Sequence, residues 1–460
     1  MNFKKETMRL LKTTVFSMTL IFSSILSAHE LTDSVAKPAQ WTLSSCINYA
    51  LKQNITIRKS QNTLQQSLVD TKTYQAALFP SLNAYTSQDV TNQPFGGNGS
   101  YGSSYNSGNK TTYNGSYGLN ASWTIYNGGK NKMNIQYEQL QNKINELGIA
   151  YSQNDIQISI TKAYLQILYA AEAIKINENT VVTSKATLDR SKELYTAGKL
   201  AKPDVAQLES QYSQDKYTLV SSQVTLSNYR LQLKQLLEIE GSDELNIAIP
   251  QLADDDVLTP LPAKEEIYQE ALGIMPEIKS SKLNTDASKL NEKIAKTGSS
   301  PTVSISGQMY TGHNSVTTDG LFTQLKNGWN NTIGVSVSVP IFDNRSTKSA
   351  VEKARLTTES SQLNELDKRK TLYQTIESIW QDANSYQIQY TAAKEKVKSA
   401  QTSFDLVTEQ FKLGMKNTLE LLTQKNNLLS AEQSELQAKY MSILNVQLLK
   451  FYEGQKITLN

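Results

Sequence analysis

The chain has 460 residues, 38% of them hydrophobic, and a formal net charge of +3. That length allows a large core or an elongated assembly, and so low an apolar share suits long helices, each burying one stripe, better than a compact globule. There is no basic stripe of the kind nucleic acid requires, and a single cysteine, Cys46, excludes an internal disulfide.

Lys4, Lys5, Arg9 and Lys12 precede a mostly apolar run, Thr13 to Leu26, followed by the small residues Ser27 and Ala28. This is the pattern of a secretory signal over residues 1–28, and cleavage after Ala28 and after Ala36 both satisfy it. The apolar run is too short to span a bilayer comfortably. Of the 46 Lys+Arg and 43 Asp+Glu, four and one leave with the leader, so the mature chain carries 42 of each and is near neutral. Cys46 lies well past the cleavage region inside a helical pattern. It reads as a small buried hydrophobe, not as a lipid-modified cysteine.

The rest of the chain repeats itself, with a first repeat over 41–240, a linker over 241–261 and a second repeat over 262–457. Ala50-Leu51 corresponds to Ala271-Leu272 and Pro80 to Pro301, both 221 apart, whereas Ile125 corresponds to Ile341 and Gly198 to Gly414, both 216 apart. Matching order and spacing over so long a stretch mark a duplication. Each half opens on an amphipathic helix, roughly 43–79 and 263–299. Two alternating segments follow in each, near 81–90 and 113–126, then 302–310 and 332–342. Tyr117, Leu119, Ala121, Trp123 and Ile125 alternate with small polar residues, as do Ile333, Val335, Val337, Val339 and Ile341. Period two with one apolar and one small polar face predicts strands between two different environments.

The period then becomes helical. Residues 131–197 and 347–413 run without a proline, long enough for helices of about 100 Å each. Ile144, Leu147, Tyr151, Ile158, Leu165 and Leu168 fall on heptad a/d positions, as do Leu366, Tyr373, Ile376, Trp380, Ala383 and Tyr390, which predicts coiled-coil seams. Gly198 and Gly414 stop these helices, and returning helices follow at about 203–240 and 418–453, the first with Pro203 in its opening turn. The linker carries Pro250, Pro260 and Asp254-Asp255-Asp256, and the acidic triplet reads as solvated.

Four strands per chain leave open edges, which lipid does not tolerate, and the smallest membrane barrels need about eight strands, so several chains must combine. The apolar faces would then meet lipid and the Ser/Thr/Asn/Gly faces a watery lumen. Tyr85, Tyr101, Tyr105, Tyr113, Tyr117, Tyr310, Phe322 and Trp329 lie in or near the loops between paired strands, with Tyr126 and Phe342 at the opposite ends, as two aromatic levels would require. On these facts a soluble β-sheet with aromatics in its core is the alternative.

The duplicated order of helix, strand, strand, long helix, glycine turn and returning helix resembles the TolC family of outer-membrane efflux proteins. So do the opening WTLSSCINYALKQNITI, the strand exits SWTIYNGG and SVPIFDNR, and the tips YTAGKLAKPDV and FKLGMKNTLELL. The resemblance covers nearly all of the mature chain. It implies a mainly α fold with a small β part, in which duplicated strand pairs stand on long antiparallel coiled-coil hairpins. Three chains would close a 12-stranded outer-membrane barrel on a periplasmic α-helical barrel. It further implies a homotrimer in outer-membrane lipid that serves a periplasmic adaptor and an inner-membrane transporter, with no cofactor, in a Gram-negative envelope. The tips Gly198, Lys199 and Leu200 with Gly414 and Met415 would dock the adaptor. Carried over position by position, Phe411 matches an aromatic gating residue, Lys416 and Asp204 a closing pair, and Glu420 an acid ringing the constriction. Thr423 stands where a second acid often sits.

No reactive constellation points to an enzyme. The two histidines, His29 and His313, lie in the leader region and in a predicted loop, which excludes a His-based metal cluster. No P-loop pattern occurs. Gly97, Gly99 and Gly102 match dinucleotide spacing, but no helix follows them. The rival reading is an exported structural or adhesive coiled-coil protein, which needs no strands with an apolar face. A soluble periplasmic adaptor suits the helical hairpins but not two barrel-like strand pairs.

Overall fold

The computed structural model describes residues 38–92, 111–240, 244–250 and 252–459, and every element below lies in one compact unit, Ala39–Asn460. The expected leader, Tyr101, Tyr105 and the glycines at 97, 99 and 102 lie outside the described residues.

The first half runs α1 (Leu43–Gln53), α2 (Ile55–Ala76), β1 (Ser81–Asn92), β2 (Thr111–Asn127), α3 (Lys130–Thr196) and α4 (Lys202–Leu236). A short α5 (Asp254–Val257) sits in the linker. The second half runs α6 (Lys264–Ile274), α7 (Pro276–Lys296), β3 (Thr302–Asn314), α8 (Leu321–Asn327), β4 (Asn330–Ser338), α9 (Ser346–Lys412) and α10 (Thr418–Tyr452). Both long helices have 67 residues and both returning helices 35. At about 1.5 Å per residue, that is roughly 100 Å out and 50 Å back in each half.

Where one helix was expected at the start of each half, there are two. Asn54 and Met275 take extended backbone, with ψ of 128° and 126°. Asn54 caps the new helix through its Oδ1, which accepts from Thr56 N at 2.9 Å. Met275 is followed by Pro276, whose missing N–H costs nothing at a first helical position.

The four strands form one antiparallel sheet in the order β1-β2-β3-β4, so the two halves join at β2–β3. The strands differ from expectation at several ends. β3 continues to Asn314, so His313 belongs to a strand and not to a loop. β4 stops at Ser338, short of the expected 342, because Pro340 removes a ladder donor and restricts Val339 before it. A bulge between Thr124 and Tyr126 pairs Tyr126, not Ile125, with Val303.

The main core is a waist. Trp41, Leu43, Cys46 and Ile57 meet Ile160, Tyr164 and Leu168 of α3, Ile376 and Tyr390 of α9, and Ile443 and Leu449 of α10. Burial pushes the Cys46 thiol up to about 12, as befits an inert core residue. The linker is strapped to this waist, while Asp254 and Asp255 of its acidic triplet stay exposed. Ile247 bridges to Trp41, Val257 is fully buried, and Ser442 Oγ and Gln387 Nε2 donate to the Val257 carbonyl at 2.8 and 3.1 Å. Within the acidic triplet, Asp254 accepts from Lys394 and Tyr390, while the Asp256 carboxylate accepts from Ala253 N at 2.9 Å. Lys394 first and Tyr390 second hold the Asp254 carboxyl below the usual carboxylate range.

Candidate functional site

The sheet and the helix tips at the far end are the two places where this architecture presents chemistry. In the sheet, the pairing lines Leu82, Ala121, Gly307 and Ile333 across all four strands. It lines Ala84, Leu119 and Met309 beside them, then Trp123, Ile305 and Val335. Paired residues share a face, so this face is mainly apolar toward the helices, with Asn331 in the Met309 row and Thr86, Gln88, Thr311 and His313 toward the loops. The opposite face carries Ser81, Ser122, Ser306 and Gly334, and Asn83, Asn120, Gln308 and Thr332. Tyr113, Tyr117 and Tyr126 follow the apolar face. Tyr85 and Tyr310 do not: they pair with Gly118 on the small polar face, where Gln308 Nε2 donates to Tyr85 Oη at 3.3 Å. The aromatic residues near the loops therefore divide between the two faces of the sheet. A Cβ on Gly118 would fall 2.5 Å from the Tyr85 ring, so glycine is what lets that ring lie flat on the sheet.

At the tips, sequence dictates two equal turns. Gly198 and Gly414 take left-handed φ of 71° and 74°. Lys199 N donates to Leu194 O at 2.8 Å and Gly198 N to Tyr195 O at 2.9 Å; Met415 N donates to Gln410 O at 2.8 Å and Gly414 N to Phe411 O at 3.0 Å. These are paired Schellman closures. Gly198, Lys199, Gly414 and Met415 are exposed and Leu200 half-buried. Leu413 and Leu419, both exposed beside Met415, extend the second tip into an apolar patch. Both fall within the tip motif FKLGMKNTLELL already singled out in the sequence.

Within one chain the expected closing residues divide between a buried cluster and a partly exposed helix start. Phe411 is buried with Leu188, Leu208, Leu421 and Leu422, so within one chain it glues the two hairpins together. Lys416 Nζ pairs with Glu420 Oε1 at 2.5 Å and not with Asp204, which has no ion-pair partner among the described residues. Glu420 Oε2 accepts from Asn417 N at 3.1 Å, and Asn417 Oδ1 accepts from Glu420 N at 2.9 Å, a capping box at the start of α10. Lys416 first, then the Asn417 N–H, hold the Glu420 carboxyl below its ordinary range. Both of its oxygens are thus used inside the chain. Thr423 Oγ1 bonds back to Leu419 O at 2.8 Å.

One further cluster lies behind the second tip. Lys425 of α10 donates to Asp215 of α4 and, at 2.6 Å, to Ser184 of α3; Ser184 Oγ also donates to Asp215. Gln211 Nε2 donates to the other Asp215 oxygen at 2.9 Å. All three partners are buried, and burial pulls the Lys425 ammonium below its ordinary pKa.

Comparison with known proteins agrees with this geometry. The outer membrane efflux protein family matches the chain twice, over residues 46–237 and 267–454. The outer membrane protein TolC of Escherichia coli strain K12 is 22% identical over 396 residues, 84% of this chain and 78% of its own. The outer membrane efflux protein BepC of Brucella suis is 20% identical over 333 residues, 71% and 69% of the two chains. Among solved structures, CusC superposes with a TM-score of 0.75 at 18% identity, covering 92% of this chain and 96% of its own. The CmeC outer membrane channel of Campylobacter jejuni gives 0.73 at 18%, covering 91% and 87%. Among the described residues no helix is long and apolar enough to cross a membrane. With both halves matched to it, the chain belongs to the outer membrane efflux protein family and is an outer-membrane channel protein of the efflux type, not an exported filament.

Proposed function

We propose that three copies of this chain close one 12-stranded barrel in outer-membrane lipid and one helical tunnel below it. The duct works passively, receiving small molecules or proteins from an inner-membrane transporter through a periplasmic adaptor. The observation that carries this reading is the open sheet. β1 and β4 each have one unpaired edge, and the sheet has one mainly apolar face and one mainly polar face. Pairing β4 of one copy with β1 of the next satisfies both edges and puts the apolar face outward and the polar face around a lumen.

At the entrance, Glu420 and Lys416 from three copies form a ring of ion pairs in place of bare acids, because each carboxylate already has its own ammonium. Asp204 belongs to the same entrance through its place one turn into α4. The tips around Gly198 and Gly414, with the Leu413, Met415 and Leu419 patch, form the adaptor-docking surface. Single-channel recording in planar bilayers tests the gate. Lys416→Met should raise cation preference by exposing the acid ring, and Glu420→Gln should lower it. If neither changes selectivity or conductance, the constriction lies elsewhere.

A further inference from the structure

The connection between β3 and β4, residues 315–329, is long and ordered by its own polar groups. Asn314 Oδ1 accepts from Thr317 N at 2.8 Å and Val316 N at 3.1 Å, and Ser315 N donates to Tyr113 O at 2.8 Å. Gln324 ties the short helix α8 down at both ends of its amide: Oε1 accepts from Asn314 N at 2.8 Å, and Nε2 donates to Asp319 O at 2.7 Å. The side on which α8 lies follows from one contact. Thr311 Oγ1 donates to the Leu325 carbonyl at 2.6 Å. Thr311 alternates in phase with Val303, Ile305 and Met309, so its side chain stands on the apolar face of the sheet. Gly328 closes the same corner, where a Cβ would come within 3.4 Å of Thr311 Oγ1. The segment thus folds back over the apolar side of β3.

What it exposes there is unusual for a polar loop. Phe322 is 86% exposed and Trp329 58%, with Leu321 and Val316 also open. Asp319 and Lys326 are the segment's two charged residues, so its net charge is zero. On the same face and at the same end of the sheet, His313 stacks against the Tyr117 ring at 6.0 Å and lies against Tyr113 at 5.4 Å, while Gln88 links the two tyrosines through hydrogen bonds to both hydroxyls. Aromatic rings with a polar tip are the side chains that settle at a membrane–water boundary.

We propose that residues 315–329 are an interfacial foot. They lie outside the barrel wall and seat Phe322, Leu321 and Trp329 among the headgroups of the lipid leaflet next to the Tyr113–Tyr117–His313 cluster. They do not form a lid over the lumen. The proposal rests on the reading that the apolar sheet face meets lipid. A lid would place its support on the small polar face, with Tyr85 and Tyr310, whereas the Thr311 bond is on the opposite one. The foot acts as a stop: a short amphipathic segment at the rim fixes the depth at which the barrel rides in the bilayer.

The test uses the full-length assembled protein in lipid vesicles, in a Cys46→Ala background. Nitroxide labels go at Phe322→Cys, at Ile333→Cys on the apolar face and at Thr332→Cys on the polar face. Relaxation by oxygen, which concentrates in lipid, is compared with relaxation by a water-soluble nickel chelate. The expected result is an oxygen-to-nickel ratio at 322 severalfold above that at 332 and on the side of 333. A ratio at 322 equal to that at 332, with 333 reading as lipid, overturns the foot while leaving the barrel intact. If 333 itself reads as water, the barrel reading fails and the foot with it. Leu321→Cys serves as the second labelled position should Phe322→Cys assemble poorly. In planar bilayers, Phe322→Ser with Leu321→Ser should leave single-channel conductance unchanged; a clear rise would show a lid and overturn the proposal.

Discussion

At the scale of single residues, the strongest dependence falls on Lys425, Asp215 and Ser184. A buried pair is weak evidence of net stabilisation, but removing one partner strands the other charge away from water at a cost of about 3–5 kcal/mol. Asp215→Ala should therefore lower the thermal unfolding midpoint of the detergent-solubilised protein sharply. Asp215→Leu with Lys425→Met should return it close to the parent midpoint, because replacing both charges by apolar groups of similar volume strands neither. If the double replacement is as damaging as the single one, the charges are not what joins the hairpins. Half of this cluster was readable: Lys425 falls between Leu421 and Leu428 at seam spacing, and Asp215 lies one heptad after Leu208. That they meet was not readable, because the partners are 210 residues apart and belong to different repeats. The linker offers a second test. Asp254 has a folded pKa below its unfolded value of about 4, so its contribution is full above that pH and is lost as pH falls through the lowered value. Acid should loosen the strap only as pH falls through that lowered value, and Asp254→Asn should flatten the pH dependence of the unfolding midpoint in that window. An unchanged profile would place the acid sensitivity in other carboxylates.

Among the elements, the helical hairpins were the most legible part of the chain. Long proline-free heptads and two terminating glycines leave little choice. The break at Met275 was legible in Pro276, which biases the residue before it to extended backbone, whereas that at Asn54 was not. Each is a single residue with extended ψ inside a continuous amphipathic pattern, imposed where the waist turns the chain. The strands were legible in phase but not in length, since pairing with β2 carries β3 past the point where its own apolar alternation fades at Gly312 and His313. Tip geometry makes a clean experiment. A Cβ on Gly198 or Gly414 meets nothing within 4 Å, so a substitution costs only the left-handed backbone, about 1–2 kcal/mol. Gly198→Val or Gly414→Val should reshape the tip and impair export while membrane insertion stays intact. Normal export with both replaced would show that the tips do not dock a partner. Among the residues expected at the entrance, Lys416 pairs with Glu420 four residues on and not with Asp204, and Asn417 adds a capping box that makes this geometry the local one.

For the whole molecule, the unpaired edges of β1 and β4 are the feature that demands association. The mass of the complex released by mild detergent should be close to three times that of the mature chain. A stable monomer recovered from native lipid would contradict the shared barrel. A consequence of the matched helix lengths reaches further. Both repeats devote 67 residues to the outgoing helix and 35 to the return, so the two tips are set by the same count of turns. The protein is in that sense a ruler whose graduations are heptads of about 10.5 Å. Shortening one hairpin by a heptad leaves its neighbour protruding, and the mouth becomes stepped. Removing one heptad at matching depths from α3, α4, α9 and α10 together keeps the mouth level and moves it closer to the outer membrane. A change in the width of the gap it bridges must therefore be met by four coordinated deletions or insertions, or by a partner long enough to make up the difference.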